Sequence, residues 1–153
     1  MEYTGAIALS QSALLKARTL HKGEWSALNE AYYILESPAA HENLVISEIM
    51  YHPSDSEILE FVELLNISDQ TLSLSGVHFN SGVEFEFEQG ATLPPGMRTL
   101  IARSASELTT TVSGINIAGE FQNGTRLANN GEVVELVALD GSMIQIYEIL
   151  LYF

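Results

Sequence analysis

Apolar and acidic residues alternate strictly through Val83–Glu88, which reads VEFEFE. Successive side chains of a β-strand point to opposite faces, so this pattern places Val83, Phe85 and Phe87 on one face and three glutamates on the other. It predicts a strand with one buried face and one solvated face. Period two recurs along the chain and favours a fold built from strands.

Turn residues recur between these alternating segments. TLSLSG (Thr71–Gly76) alternates and then stops at glycine. Glu132–Tyr152 reads as two strands joined by Asp140-Gly141, for which we expect a type I′ hairpin turn. Only Ser104–Thr111 indicates a helical turn. Strands at intervals of about 8–12 residues without a long helical pattern predict an all-β antiparallel sandwich or barrel.

A change in composition near Glu36–Asn43 divides the chain. Before it lie three candidate strands, GAIALS, ALLKARTL and WSALNEAYYIL. Three strands can form a sheet but can hardly close a sandwich alone. We therefore assign residues 1–36 to part of one module, 37–43 to a linker and 44–153 to a β-sandwich domain.

The net charge of −14 lies almost wholly after this boundary. Residues 1–35 balance three acidic against three basic side chains, which leaves 17 of the 20 acidic residues facing three arginines. Such a surface repels phosphate backbones, so nucleic acid is excluded as an expected partner. Charges interrupt every candidate membrane span, so no membrane insertion is expected. The start of the sequence lacks the pattern of a signal peptide.

The segment EILEFVELLN (Glu57–Asn66) carries three glutamates among apolar residues on both of its faces. This pattern predicts a central strand, with Glu60 and Glu63 on opposite sides. They cannot act together as an acid–base pair or chelate one ion. A carboxylate on a core face must be hydrogen-bonded or protonated, and the usual donors are backbone N–H groups. We expect these glutamates to be structural.

Other chemical patterns are weak, so no catalytic, cofactor-binding or metal site is predicted. The histidines show no ligand spacing. The stretch SDSE (Ser54–Glu57) lacks the alternating oxygen ligands and the glycine of a calcium loop. Trp25 can either stack on a sugar or pack in a core or interface. Asn66-Ile67-Ser68 fits the glycosylation sequon, a pattern that is frequent by chance.

The sandwich segment resembles the bacterial branch of the lamin-tail domain over about Leu44–Tyr152. The family's recurring blocks occur in order: I-x-E-I-M-Y-x-P at Ile46–Pro53, E-F-V-E-L-x-N at Glu60–Asn66, L-S-G at Leu74–Gly76, P-P-G at Pro94–Gly96, and a final N-x-G-E hairpin from Asn129. The resemblance implies an immunoglobulin-like β-sandwich. Val77 stands where a tryptophan usually follows L-S-G, and Gln145 where an aspartate is common, which implies altered local packing or edge contacts.

The segment before it resembles the last strands of a fibronectin type III-like module found in chitobiase-type secreted proteins, on Lys16–Arg18 and Trp25-Ser26. Together the two resemblances imply a non-enzymatic interaction or structural module of a larger bacterial exported or cell-surface protein. Its partner would be a protein or a surface polysaccharide. The alternative is a carbohydrate-binding accessory domain of a secreted enzyme. The large apolar set in residues 1–36 predicts a homodimer held through them.

Overall fold

A computed structural model of the chain describes residues 4–9, 13–33 and 36–150. By its internal contacts the chain separates into two compact units, Met1–Glu36 and Ser37–Phe153. The hydrophobic core belongs to the second unit.

The first unit contains a β-hairpin made of four short strands. They are β1 (Ala13–Ala17), β2 (Leu20–His21), β3 (Glu24–Trp25) and β4 (Asn29–Tyr33). Strand β1 pairs antiparallel with β4, and β2 pairs antiparallel with β3. Lys22 and Gly23 join β2 to β3 with φ angles of 49° and 86°. Left-handed backbone at both central residues is the requirement of a type I′ turn, which matches the twist of the flanking strands.

This hairpin differs from the three-stranded segment that the sequence predicted. Residues 5–9 of the first candidate strand lie in no strand, while the second and third candidates fold onto each other. An alternating pattern becomes a strand only where a neighbouring strand offers hydrogen bonds, and the described residues offer none to residues 5–9. Ser10, Ile34 and Leu35, at the ends of the predicted strands, lie outside the described residues.

Over its described residues, 37–150, the second unit contains ten strands and one α-helix. The strands are β5 (Ser37–Pro38), β6 (Leu44–Met50), β7 (Phe61–Asn66), β8 (Leu72–Ser73), β9 (His78–Ser81), β10 (Thr92–Leu93), β11 (Arg98–Ala102), β12 (Ile117–Glu120), β13 (Glu132–Val137) and β14 (Met143–Ile149). The helix, α1 (Ala105–Thr111), lies within the segment that the sequence predicted, and Ser104 caps its N-terminus.

Three sets of strands build the sandwich. One sheet has the order β12-β11-β7-β6, in which only β12 runs parallel to its neighbour. A second has the order β14-β13-β9, and a third has the order β10-β8-β5. Strand β7 lies between two neighbours, which confirms the central strand predicted for this segment. The immunoglobulin-like antiparallel β-sandwich is confirmed.

The inner faces of these sheets share one hydrophobic core. Val83, Phe85 and Phe87 are buried and the intervening glutamates are exposed, as the alternation predicted. The predicted strand itself does not form, because the segment makes only an isolated bridge at Glu86. The Phe85 and Phe87 rings meet edge to face, with centroids 4.9 Å apart. The least exposed residues of this core come from all three sheets: Leu44, Val62, Leu64, Leu72, Leu93, Ile101, Val134 and Leu136.

The segment 37–43, predicted as a linker, is part of the sandwich. Strand β5 pairs parallel with β8, and the Ser37 and Ala39 N–H groups donate to the carbonyls of Thr71 and Ser73. Ala39 is buried in the core. The low apolar content of this segment predicted a linker. The segment is a short strand instead, because backbone hydrogen bonds hold it, and such bonds leave no signal in the side-chain pattern.

The turn between β13 and β14 also differs from its prediction. Only Gly141 has positive φ there, and its N–H donates to the Ala138 carbonyl, so the turn is not type I′. Instead the Asp140 carboxylate accepts from the Ser142 N–H at 2.9 Å and from the Ser142 hydroxyl at 2.6 Å. These bonds from Ser142, the hydroxyl bond first, lower the pKa of Asp140.

Asp140 should therefore titrate below the ordinary aspartate pKa of about 3.9. A depressed pKa in the folded state stabilises the hairpin above the unfolded-state pKa, and this contribution is lost as the pH falls through the folded value. A ¹³C NMR titration of the carboxyl group measures the pKa directly. Ser142→Ala removes the hydroxyl donor and should raise the midpoint; an unchanged midpoint would contradict the assigned cause.

Candidate functional site

The acidic segment that drew attention in the sequence forms a polar cluster at one end of β7. Glu57–Leu59 is a 3₁₀ turn, and Glu60 follows it with extended backbone. The Glu60 side chain is fully buried, on the same face as Val62, Leu64 and Asn66. The alternation predicted that one of Glu60 and Glu63 faces the core, and the structure shows that it is Glu60.

The Glu60 carboxylate joins two distant segments of the chain. Its Oε1 accepts from Arg103 Nη1 at 2.9 Å, and its Oε2 accepts from the Leu127 backbone N–H at 3.0 Å. The Arg103 backbone N–H in turn donates to the Glu60 carbonyl. The backbone donor confirms the predicted kind of partner. The arginine, 43 residues away, is a partner that the local sequence does not reveal.

Glu57 extends this cluster toward solvent. Its Oε1 accepts from Asn129 Nδ2 at 2.8 Å, and its Oε2 lies 3.5 Å from Arg103 Nη1. Together Glu57 and Glu60 fix the Arg103 guanidinium and the loop that contains Leu127 and Asn129. A shallow cleft of about 310 Å³ lies beside Glu57 and this loop.

The carboxylates of this cluster are already engaged within the protein. Each carboxylate oxygen of Glu57 and Glu60 already has a donor or a cation beside it. Within residues 4–9, 13–33 and 36–150, no group of three or more histidine or carboxylate side chains is arranged to hold a metal ion. The arrangement supports a structural role for these acids.

Glu63 lies on the opposite face of β7, as predicted. Its carboxylate accepts from the Ser47 hydroxyl at 2.6 Å and from Arg98 Nε at 3.0 Å. Strand pairing places Glu48 directly across from it. The pair Glu60 and Glu63 therefore serves two separate sets of partners.

Asn66 is the buried polar residue at the other end of β7. Its Nδ2 donates to the carbonyls of Gln70 and Leu93, and its Oδ1 accepts from the N–H and hydroxyl of Ser68. All of its hydrogen-bonding capacity is used inside the fold. Because it is fully buried, Asn66 cannot serve as the acceptor of the sequon.

A second and larger cleft opens on one side of the sandwich. It has a volume of about 540 Å³ and lies between strand β12 and the segment 85–92. Phe85, Phe87 and Leu74 line it from the core, and Glu86 and Glu88 are exposed beside it. Residue 119 is glycine where the Phe85 ring crosses the strand, since a Cβ atom there would lie 2.6 Å from Cε2 of the ring.

The lamin tail domain family model matches residues 37–149. The chain belongs to the lamin tail domain family. This family is a non-catalytic module with an immunoglobulin-like fold. The match begins at Ser37, the first residue of β5, and so includes the segment that the sequence analysis set apart as a linker. No curated protein matches the chain.

The two departures from the usual lamin tail pattern have clear structural settings. Val77 is buried in the core. Gln145 projects from β14 to β6, where its Oε1 accepts from the Ile46 N–H beside a β-bulge, and its Nε2 donates to the Tyr147 hydroxyl at 2.9 Å. The predicted change in edge contacts at Gln145 is thus a hydrogen bond that ties the two sheets together.

No helix among the described residues has the length and apolar character needed to cross a bilayer.

Glu60→Ala should lower the free energy of unfolding by about 1–3 kcal/mol, because it leaves the buried Leu127 N–H and the Arg103 guanidinium without their acceptor. Glu63→Ala should cost less than about 1 kcal/mol, since its partners remain accessible to water. Urea unfolding at neutral pH measures both. Glu60→Gln keeps an oxygen acceptor and should fall between the wild type and Glu60→Ala. Equal stability of all four proteins would contradict the structural role.

Proposed function

We propose that this chain is an interaction and structural module of a larger bacterial protein that is exported or displayed at the cell surface, in an adhesion or scaffold role. Membership of the lamin tail domain family carries this proposal. The fold itself hosts many binding roles, so it supplies the class of function and not the partner.

The use of polar side chains supports a role without catalysis. The buried glutamate, the buried asparagine and the arginine beside Glu60 have all their partners within the protein. A catalytic acid, base or nucleophile must instead be within reach of a substrate. The polar groups of the candidate site rigidify the sandwich, which suits a module that presents a surface.

The N-terminal hairpin supports self-association as part of that role. Leu20, Trp25, Leu28 and Tyr33 are each about half exposed. A large apolar side chain left in water forgoes about 1.5–3 kcal/mol, so several together favour burial against another surface. We infer that residues 1–36 hold two copies of the chain together, by pairing of strand edges or by packing of these side chains.

A carbohydrate-binding accessory role is the second candidate, and Trp25 is the observation that favours it. The indole is 54% exposed, and the Arg18 guanidinium carbon lies 4.2 Å from its ring centroid. An exposed ring held in place by a cation offers a surface on which a sugar ring can stack.

Photo-crosslinking in the native host should distinguish the two candidates. Benzoylphenylalanine is placed at exposed positions of both units, and crosslinked species are identified by mass spectrometry. A protein interaction module gives protein adducts at a clustered set of positions. Adducts to polysaccharide confined to positions 24 and 26, with saturable glycan binding that Trp25→Ala abolishes, would instead establish the carbohydrate-binding role. Absence of adducts at every position would contradict an interaction role.

Light scattering tests the proposed self-association. The 153-residue chain should have the mass of a dimer or a larger assembly, and the fragment 37–153 that of a monomer. Trp25→Ser with Leu28→Ser in the full chain removes exposed apolar area without deleting the hairpin, and should shift the full chain toward the monomer. A full chain that is monomeric at all concentrations would contradict the proposal.

A further inference from the structure

The extended segment 85–87 runs beside β9 without belonging to a strand, and one of its residues has backbone groups that no described residue pairs with. The segment 85–87 bonds to β9 and the residues before it: the Phe79 N–H donates to the Phe85 carbonyl, and the Phe87 N–H donates to the Val77 carbonyl. Glu86, between them, forms only an isolated bridge with His78. In an extended strand its own N–H and C=O point to the other side. Among the described residues, neither group makes a backbone hydrogen bond.

The free edge at Glu86 faces the 540 Å³ cleft. Next to it, at Glu84, the edge is closed, because the Gln122 N–H donates to the Glu84 carbonyl and the Glu84 N–H donates to the Thr125 hydroxyl. The far wall of the cleft is β12, the last strand of its sheet, and no described strand pairs with the outer edge of β12.

Charge and polarity define what this cleft can accept. Its lining includes Glu86, Glu88 and Glu120 but no lysine or arginine. Glu120 already accepts from the Ala105 N–H with one oxygen, while no side-chain partner of Glu86 or Glu88 exists among the described residues. The floor toward the core is apolar, with Leu74, Phe85 and Phe87 among its residues, and Ala118 lies on the far wall.

We propose that the Glu86 edge binds an extended, lysine- or arginine-bearing segment of a partner protein by β-strand addition. The segment bonds to the Glu86 N–H and C=O, as strand addition to an open sheet edge requires. Its side chains alternate, so small apolar residues face Phe85 and Ala118 while basic residues lie beside Glu86 and Glu88. The partner segment thus alternates small apolar and basic residues, the complement of VEFEFE. This inference names the partner class of the interaction role and rests on that proposed function.

The test is a titration of the full chain with an acetylated and amidated peptide, Lys-Val-Lys-Ala-Lys-Val-Lys, followed by fluorescence anisotropy and by ¹H–¹⁵N NMR. Binding should saturate at one peptide per chain and should shift the amide signal of Glu86. A peptide with serine in place of every lysine should bind at least about fivefold more weakly, since it lacks the complementary charge.

Two matched controls separate strand addition from adsorption to an acidic surface. Glu86→Gln with Glu88→Gln should weaken binding at least about fivefold, whereas Glu42→Gln with Asp69→Asn, an equal charge change at exposed residues outside the cleft, should change it less than about twofold. The second control uses N-methylated peptides on the wild-type chain. Methylation of one alternate set of peptide nitrogens should abolish binding and methylation of the other should preserve it, because a strand bonds to an edge through every second residue.

Any of three results would overturn the proposal. They are equal weakening of binding by both charge variants, equal binding of both methylated peptides, and no binding of the parent peptide. Dissociation of a dimer by Glu86→Gln with Glu88→Gln would also overturn it, because the occupant of the edge would then be a second copy of the chain. If the peptide does not bind but crosslinks to a partner form elsewhere on the surface, the result supports the interaction role and contradicts only the site at Glu86.

Discussion

The burial of one face of each long strand between two sheets is the constraint on which this molecule depends. Residues of two sheets share one core and have almost no exposed area. They include Val62 and Leu64 from one sheet and Val134 and Leu136 from another. Burial at about 25 cal/mol per Å² of apolar surface is the main force that holds such a sandwich together. The sheets must therefore stay stacked, and contacts along their open sides determine how far along the strands the stacking extends. Gln145 closes one side by its bond to Ile46, and Gln122 closes the other by its bond to Glu84.

The buried Glu60 is the exception that this core tolerates. A bare carboxylate in an apolar interior costs several kcal/mol, and the protein offsets this cost with a backbone N–H and an arginine. The result is a tie between the start of β7, the end of β11 and the loop that contains Leu127. An acidic segment that looks like a reactive site in sequence is consequently a fixed part of the framework. Function must then come from surfaces that the framework leaves open.

Two such surfaces differ in physical character. The N-terminal hairpin exposes apolar and aromatic side chains, with Trp25 held under the Arg18 guanidinium. The cleft beside Glu86 combines unpaired backbone groups with negative charge and an apolar floor. The first favours contacts that bury area, and the second favours a partner that supplies both hydrogen bonds and positive charge. Neither requires any movement of the core.

The sequence by itself determined the all-β class, the division of the β7 side chains between two opposite faces, the inward and outward faces of the segment 83–88, and the helical turn near Ser104. These features are local, because side-chain direction in a strand depends only on position along the chain. The motif blocks by themselves also indicated the lamin tail family. The same period of two put Glu60 and Glu63 on opposite faces, but only the packed sheets show that Glu60 is the one in the core.

Tertiary structure alone decided the features that depend on distant partners. Three contacts join residues far apart in the chain. They are the pairing of Arg103 with Glu60, the parallel strand at Ser37 and the bond from Gln145 to Ile46. The turn at Asp140 differs from its prediction because a side-chain acceptor for Ser142 competes with backbone geometry. The alternation in VEFEFE is a strand signal, yet only the assembled sheets show that its edge at Glu86 is unpaired. Local pattern fixes which way a side chain points, whereas a hydrogen bond requires a partner that the fold must bring to it.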